Sequence, residues 1–478
     1  MNKLEQYFEE FRQNTIGYNK EYNSPYGKQK IIYADWVASG RLYKTIEEKI
    51  ANDFGPFVAN THTETSEVGT LMTKSYHHAK HIIKNHVNAN DNDVLINTGF
   101  GMTAAINKLQ RIIGLKNNID QEKPVVFVTH MEHHSNHTSW LTTNAEVVLL
   151  EPDNNLLVSI ENLETQLKKY SNRKIKIGAF TAASNVTGII PPYHEMAKLM
   201  HKYNGLCFVD FAMSAPYVKI DMHPSDPEAK LDAITFSPHK FLGGPGSSGV
   251  LIFDKELYSN EIPDNPGGGT VDWTNAWGEY KFVDDIELRE DGGTPGFLQT
   301  IRTALAINLK EKMGVENMEK REEELIDIIF SEFNKIDGIN ILAKESKKRL
   351  GAISFYHKDI HFNLLVKLFS DKYGIQVRGG CACAGTYGHY LLNVDKDKSN
   401  KITSKINKGD LSEKPGWIRL SVHPLMTNDE MMYISKSLKE IVENIEEFKK
   451  DYKYVPTSNE FVYINDYKTI DYKQWFSI

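Results

Sequence analysis

The chain has 478 residues, 40% of them hydrophobic and 25% charged, which is enough apolar material for a large core spread over two or three domains. Its 56 Lys and Arg against 63 Asp and Glu leave a formal charge of −7, which gives no general electrostatic reason to bind nucleic acid or an anionic membrane. No apolar run approaches the ~20 residues of a membrane-spanning helix. The start, Met-Asn-Lys-Leu-Glu-Gln, lacks the apolar stretch of a secretory signal. The three cysteines, Cys207, Cys381 and Cys383, are too few for a disulfide framework and fit a reducing compartment. The expectation is a soluble, cytoplasmic globular enzyme with no nucleic-acid or membrane partner.

In chain order, residues 1–30 read as a short amphipathic helix and a polar connector, and Ile31–Tyr33 as a strand. From about residue 64 to 255 helical and extended patterns alternate. Strands are predicted at Asp93–Asn97, Val125–Thr129, Glu146–Leu150, Lys176–Thr181, Leu206–Asp210, Asp232–Ser237 and Gly249–Phe253. Helices are predicted at Met102–Ile113, Ser159–Tyr170 and His194–Tyr203. Strands joined by helices of this length indicate right-handed crossovers in a largely parallel sheet, whose ligands bind at the carboxyl ends of the strands. Pro263–Gly269 and Glu287–Gly296 read as long loops. Residues 299–335 look helical. Beyond them a smaller α/β pattern has strands at Ile339–Leu342, Ala352–Phe355, Ile375–Arg378 and Trp417–Val422, and helices near His361–Lys372 and Asn428–Phe448. Residues 394–413 read as a solvated loop, and the Tyr-rich tail after Lys449 shows no clear periodicity.

The segment Asp232-Ala-Ile-Thr-Phe-Ser-Pro-His-Lys carries the most chemistry, because its strand delivers Ser237, His239 and Lys240 to a strand end. A partly desolvated lysine becomes an imine-forming amine, and Ser237 and His239 are placed to bind a phosphate. Lys240 also admits the reading of a surface lysine before a turn. A nucleotide phosphate loop is opposed by the order of residues, since the glycines follow the lysine and no Gly-Lys-Ser/Thr occurs. Asp210 ends the apolar strand Leu-Cys-Phe-Val-Asp, where it could cap a helix, bind a metal or pair with a protonated heterocyclic nitrogen. Together Asp210 and Lys240 satisfy what a pyridoxal phosphate site requires: an acid that keeps the pyridine nitrogen protonated and a lysine that forms the imine. Asn97-Thr-Gly-Phe-Gly-Met-Thr joins a strand to a helix, and Met102 and Thr103 at that helix start are placed to hold a phosphate.

With these residues the chain resembles the class V aminotransferase family of pyridoxal phosphate enzymes, especially its cysteine desulfurase branch, from about Tyr33 to about residue 448. Tyr-Ala-Asp-Trp-Val-Ala-Ser-Gly at 33–40 resembles the family's opening strand and turn. In Met-Glu-His-His-Ser-Asn at 131–136, the resemblance implies that His133 stacks on the cofactor ring. In Ser-Asn-Val-Thr-Gly at 184–188 it places Asn185 beside cofactor and substrate, and in Val-Asp-Phe-Ala-Met at 209–213 it faces Asp210 to the pyridine nitrogen. Ser-Pro-His-Lys at 237–240 makes Lys240 the imine lysine, and Gly-Gly-Thr-Pro at 292–295 implies that Thr294 reaches the phosphate of a neighbouring subunit. Arg-Leu-Ser at 419–421 implies that Arg419 grips the substrate carboxylate. Two positions depart from the pattern. Met213 stands where the family has a glutamine that donates to the cofactor's phenolate oxygen, a task a thioether cannot perform, so Ser214 or Asn185 substitutes or the imine holds its proton more tightly. Phe211 replaces the glycine after the aspartate.

The loop Arg378-Gly-Gly-Cys-Ala-Cys-Ala-Gly resembles the desulfurase pattern Arg-x-Gly-x-x-Cys-Ala, which puts Cys383 at the nucleophile position with Arg378 beside it to favour the thiolate. Cys381 is expected to play a lesser part, and Cys207, in an apolar strand, to be core. The histidines at 77, 78, 81, 133, 134 and 137 suggest metal clusters by spacing alone, but no metal is expected.

The resemblance therefore implies an α/β, fold-type I transferase that uses pyridoxal 5′-phosphate. The large domain spans 31–298 with a mainly parallel central sheet, and connecting helices follow at 299–335. A small α/β domain spans 336–448, the segment 1–30 joins it, and a tail covers 449–478. The expected catalytic residues are Lys240, Cys383 and His133. Cofactor contacts are expected from Met102, Thr103, His133, Asn185, Asp210, Ser237, His239, Lys240 and Thr294, and substrate contacts from Asn185, Arg378 and Arg419. The expected reaction converts L-cysteine to L-alanine and leaves a persulfide on Cys383, in a homodimer that hands sulfur to an acceptor protein. Transamination or β-elimination by a C–S lyase is the alternative, and a non-catalytic scaffold a third reading that the intact Lys240, Asp210 and Arg419 set opposes.

Overall fold

The structure is a computed structural model that describes residues 3–116, 122–346 and 348–478. The chain forms two compact units: one of residues 1–38, 185–189 and 316–478, the other of residues 39–184 and 190–315.

The second and larger unit is built on a seven-stranded sheet. Its strands are β1 (Asp93–Thr98), β2 (Val125–Thr129), β3 (Glu146–Leu150), β4 (Lys176–Thr181), β5 (Leu206–Asp210), β6 (Ala233–Phe236) and β7 (Gly249–Asp254). The order is β1-β7-β6-β5-β4-β2-β3. Strands β2 to β6 run parallel, and β7 lies antiparallel between β6 and β1. Every residue of β2, β4 and β6 is buried, which is why these strands read as continuous apolar runs rather than alternations. Helix α1 (Glu67–His86) starts at Ser66, whose hydroxyl accepts the Gly69 N–H. Its Met72 and Ala79 pack on Ile301 and Ala304. Helices α2 (Gly101–Ile112) and α3 (His134–Leu141) follow β1 and β2. Ile160–Lys169 and Tyr193–Lys202 form the later crossovers.

The first unit carries a four-stranded antiparallel sheet of β8 (Ile339–Ile341), β9 (Ala352–His357), β10 (Arg378–Gly380) and β11 (Trp417–Ser421), in the order β8-β9-β11-β10. Ile32–Tyr33 is a strand, but its parallel partner is Ile375–Gln376, so this segment belongs with the smaller unit rather than opening the large one. Asn185–Ile189 joins the same unit through an Ile189–Arg349 bridge, a Leu350 N–H to Gly188 carbonyl bond of 2.9 Å and a Ser354 hydroxyl to Val186 carbonyl bond of 2.7 Å.

Further segments differ from the sequence reading, among them the hairpin Val271–Thr274 with Tyr280–Phe282. The N-terminal connector is a hairpin, Glu21–Ser24 with Gly27–Lys30, preceded by two short helices. Residues 394–413 contain a helix, Lys396–Ile406, started by the Asp395 side chain, with Ile402 as its one buried residue. The tail holds another hairpin, Tyr452–Val455 with Glu460–Tyr463. The loop expected at Glu287–Gly296 opens inside a short helix, Ile286–Arg289. Among the described residues no helix is long and apolar enough to cross a membrane.

Candidate active site

In the larger unit, the functional side chains sit where strands end. Asp210 closes β5, is 5% exposed and accepts the Ala212 N–H at 2.7 Å. Burial pushes its carboxyl up to about 6, against that N–H and the Lys240 charge, which both favour the carboxylate. One strand over, β6 ends at Ser237, and Pro238–Lys240 forms a single 3₁₀ turn. Burial, with the Lys240 charge, lowers His239 to about 4, so at neutral pH it offers a ring N–H and no cation.

The start of α2 meets this turn. The Met102 N–H donates to the Ser237 hydroxyl at 2.8 Å, which leaves the hydroxyl proton available to another acceptor. The approach requires glycine: at Gly101, φ is +60° and an added Cβ would stand 2.8 Å from the Ser237 oxygen. The first N–H groups of a helix have no intrahelical acceptor, so this end is a ready anion site. Thr103 adds an exposed hydroxyl, 2.6 Å from that of Ser135. Ser135 lies in the first turn of α3, whose N-cap is His133. The His133 Nδ1 accepts the Ser135 N–H at 3.1 Å, so in the neutral ring Nε2 carries the proton. Met102, Thr103, His133, Asp210, Ser237, His239 and Lys240 are thus gathered at one end of the sheet. Helix N–H groups and hydroxyls for a phosphate, an acid at another strand end and a half-buried lysine fit pyridoxal phosphate. The Ser214 hydroxyl is buried and has no hydrogen-bond partner among the described residues, so it has a proton to give where Met213 has none.

Sequence reasoning missed Glu132. Its Oε1 accepts the Thr129 hydroxyl at 2.7 Å, the Thr129 N–H at 3.3 Å and the Thr181 N–H at 3.0 Å, and its Oε2 accepts the Asn136 amide at 2.8 Å. One carboxyl therefore ties the ends of β2 and β4 to α3 and fixes the turn that presents His133. Burial lifts it to about 8 against those donors. The signal in the sequence was an acid between an apolar strand and His133.

In the smaller unit, Arg419 lies in the middle of the fully buried strand β11. Its Nη2 donates to Asp35 at 2.7 Å and its Nη1 to the Asn185 carbonyl at 3.2 Å, while Nε is buried with no partner among the described residues. An unpartnered buried N–H on a guanidinium is an open place for a carboxylate oxygen. Burial lowers the Arg419 pKa and the Asp35 charge opposes this. The strand register sets Arg378 directly opposite Arg419, and Asp35 reaches both, its second oxygen 3.3 Å from Arg378 Nε. Sequence reasoning placed Asp35 only in the opening turn.

Beyond β10, Cys381–Ala384 forms a tight turn closed by the Ala384 N–H on the Cys381 carbonyl at 3.0 Å. Ala382 and Cys383 have φ of +50° and +57°, the type I′ pattern that Asn-Gly ordinarily fills. Each non-glycine residue held there costs about 1–2 kcal/mol. The Asn185 amide donates to the Ala382 carbonyl at 2.6 Å and pins the turn from its middle peptide. Cys383 is exposed, Cys381 partly buried and Cys207 buried in β5, where desolvation pushes its thiol up. Arg378, Arg419, Asn185 and the cysteine turn are therefore assembled in one unit, with the Asn185 amide on backbone.

Other sequence-derived candidates stand apart. Thr294 is exposed, and its hydroxyl lies 3.4 Å from Asn60. The His78 and His81 rings stack at 6.4 Å on α1. Among the described residues no three His, Cys, Asp or Glu side chains are grouped to hold a metal ion.

Residues 32–434 match the Aminotransferase class-V family. A probable cysteine desulfurase of Halalkalibacterium halodurans is 30% identical over 359 residues, 74% of this chain and 84% of its own. One from Staphylococcus aureus is 29% identical over 360 residues, with the same coverage. Among solved structures, the apo cysteine desulfurase of Thermococcus onnurineus shares the fold with a TM-score of 0.75 at 21% identity, over 91% of this chain and 98% of its own. An Escherichia coli cysteine desulfurase in an S-sulfonic acid form does so with 0.72 at 20% identity and the same coverage.

Proposed function

Since the chain belongs to the class V aminotransferase family, we propose that it is a pyridoxal phosphate-dependent cysteine desulfurase that converts L-cysteine to L-alanine and retains the sulfur on Cys383. The observation that carries this reading is the exposed Cys383 on its pinned left-handed turn, within one unit with the carboxylate-binding Arg419. A sulfur-accepting thiol must be accessible to receive the atom and to give it up. A core cysteine such as Cys207 is neither accessible nor easily ionised.

Met102, Thr103, Ser237 and His239 would hold the cofactor's phosphate, Asp210 would pair with its ring nitrogen and His133 would cover its ring. When bound, the cofactor supplies an electron sink for the pair released at the substrate's α-carbon. Lys240 would attach the cofactor, and its amine would move the substrate's α-proton as base and acid. Arg419 orients the substrate through its carboxylate. The Cys383 thiolate forms a bond to the substrate sulfur as the Cβ–S bond breaks. The pair left on Cβ takes up a proton to give the methyl group of alanine, and Cys383 becomes a persulfide. The same proposal includes a cytoplasmic homodimer, in which Thr294 serves the neighbouring subunit's phosphate site, and an acceptor protein that takes the sulfur.

The test is product analysis with L-cysteine for the parent, Cys381→Ala and Cys383→Ala proteins, with persulfide mapping by mass spectrometry. Loss of alanine in Cys383→Ala alone supports the assignment, and loss in Cys381→Ala alone reverses the two cysteines. Pyruvate or a keto acid from all three replaces the desulfurase reading with a lyase or an aminotransferase. No product and no bound cofactor indicates a scaffold.

A further inference from the structure

We propose that Tyr387 is a positioning residue for sulfur acceptance: by docking on Thr187 it seats the short helix behind Cys383 and so fixes where the thiol stands. This rests on the reading of Cys383 as the sulfur acceptor.

The thiol sits on a turn that does not hold itself. Ala382 and Cys383 are left-handed, with φ of +50° and +57°, and neither is glycine. Such a turn persists only where its surroundings over-determine it. One flank is β10, fixed by its register on β11. The other is the helix Gly385–Leu391, which starts two residues after Cys383. That helix has no side-chain cap at its start, and its two buried residues are Tyr387 and Gly388. Gly388 packs against Trp417, where an added Cβ would stand 3.1 Å from the ring. Tyr387 supplies the polar contact: its side chain is fully buried and its hydroxyl lies 3.3 Å from that of Thr187. Burial raises this hydroxyl to about 12, against the Thr187 contact and the Arg349 charge, so at neutral pH it keeps its proton.

Thr187 is itself held in place. In the segment 185–189 the Val186 carbonyl accepts the Ser354 hydroxyl at 2.7 Å, the Gly188 carbonyl accepts the Leu350 N–H at 2.9 Å, and Ile189 bridges to Arg349. The approach at Gly188 is so close that an added Cβ would stand 2.1 Å from the Leu350 carbonyl oxygen. The same segment sends the Asn185 amide to the Ala382 carbonyl at 2.6 Å. One held segment therefore meets the cysteine region twice, before the thiol through Asn185 and after it through Thr187. Two points fix an orientation that one does not. Sulfur transfer needs the thiolate aligned with the bond that breaks, and a misplacement of ~1 Å can cost roughly 10²-fold. Alkylation by a small reagent needs only an accessible thiol.

The test compares the cofactor-loaded parent with Tyr387→Phe, Thr187→Val and the double variant. Persulfide on Cys383 is followed by mass spectrometry in a single turnover with L-cysteine. Calorimetry reads L-alanine affinity, iodoacetamide reads access to the thiol, and hydrogen exchange reads the peptide 381–391. Tyr387→Phe should slow persulfide formation by at least about tenfold. It should leave alanine affinity and the alkylation rate within about twofold of the parent. Exchange in the peptide should speed up, because the Ala384 and Gly388 N–H groups are bonded only within it, to the Cys381 and Ala384 carbonyls. Thr187→Val should do the same, and the double variant should be within about twofold of the slower single variant, since each removes one shared contact. Losses that multiply in the double variant overturn the inference, as does persulfide formation that falls only in step with alkylation or alanine affinity. Where Tyr387→Phe folds poorly, read as a lowered urea midpoint, Thr187→Val carries the same comparison. A parent that forms no persulfide on Cys383 removes the desulfurase reading and the inference with it. A parent that forms it, with both single variants forming it equally fast, overturns the inference alone.

Discussion

The two units build their parts of the chemistry by opposite means. In the larger, each functional side chain follows a buried strand or opens a helix, so its place is set by the regular geometry of the sheet. In the smaller, Asp35, Asn185, Cys383 and Arg419 come from distant stretches of chain and meet through hydrogen bonds and one strained turn. The first arrangement suits the fixed seat proposed for the cofactor. The second suits the sulfur-accepting role proposed for Cys383, which is exposed on a turn held by two hydrogen bonds, from the Ala384 N–H and the Asn185 amide.

The largest expected effect separates the two. Lys240→Ala should lower alanine formation by roughly 10²–10⁴-fold or more. It should also abolish the pyridoxyl adduct that borohydride reduction and peptide mapping place on Lys240 in the parent. The rate of Cys383 alkylation by iodoacetamide should not change. A changed alkylation rate would show that the thiol's surroundings depend on the cofactor lysine.

The next effect is in acid. His423 is buried, stacks on Trp36 at 4.1 Å and accepts the Leu425 N–H on Nδ1, and desolvation drives it down to about 3. The unfolded imidazole takes up a proton near 6.5. The stability His423 contributes is therefore complete above that pH and is lost as pH falls towards 3, by ~2 kcal/mol between 6.5 and 5. Asp210 runs the other way: with a folded value raised to about 6, it holds a proton that the unfolded chain has already released, so mild acid favours its folded form. Denaturant unfolding of the parent and of His423→Phe at pH 7 and pH 5 isolates this group: the variant should lose ~2 kcal/mol less than the parent over that range. Equal losses in the two proteins would show that His423 does not carry the effect.

The smallest effect sharpens the account of the turn. Ala382→Gly relieves a left-handed alanine and should raise the smaller unit's stability by about 0.5–1 kcal/mol, read as a shift in urea midpoint. A loss of stability would mean that the alanine methyl matters more than the backbone strain.

These differences also decide what was legible in the sequence. The central sheet could be read because its strands are continuous apolar runs, and Asp210, Ser237 and Lys240 because each ends or follows one. The helix Lys396–Ile406 could not, because it buries only Ile402 and shows the composition of a loop. The C-terminal hairpin did carry a signal, the alternation of Tyr452 with Tyr454 and of Phe461 with Tyr463, hidden in a tail rich in tyrosine throughout. The cysteine turn was invisible because Ala-Cys is not the residue chemistry of a type I′ turn, and only φ reveals it. Asp35 and Glu132 were passed over as functional residues because their importance lies in what they hold, and partners 384 and 49 residues away leave no local pattern.

The separation between Asp35 and Arg419 also sets an order in time. Nearly everything the larger unit contains has left the ribosome once Val315 has emerged, and it can condense from there. Asp35 must wait for Arg419, 384 residues later, which at ~5–20 residues per second is roughly 20–80 s of synthesis. Through that interval Ile32 and Trp36, buried in the finished protein, have no sheet to enter. The residues proposed to hold the cofactor are thus complete while the arginines and the cysteine turn are still being made.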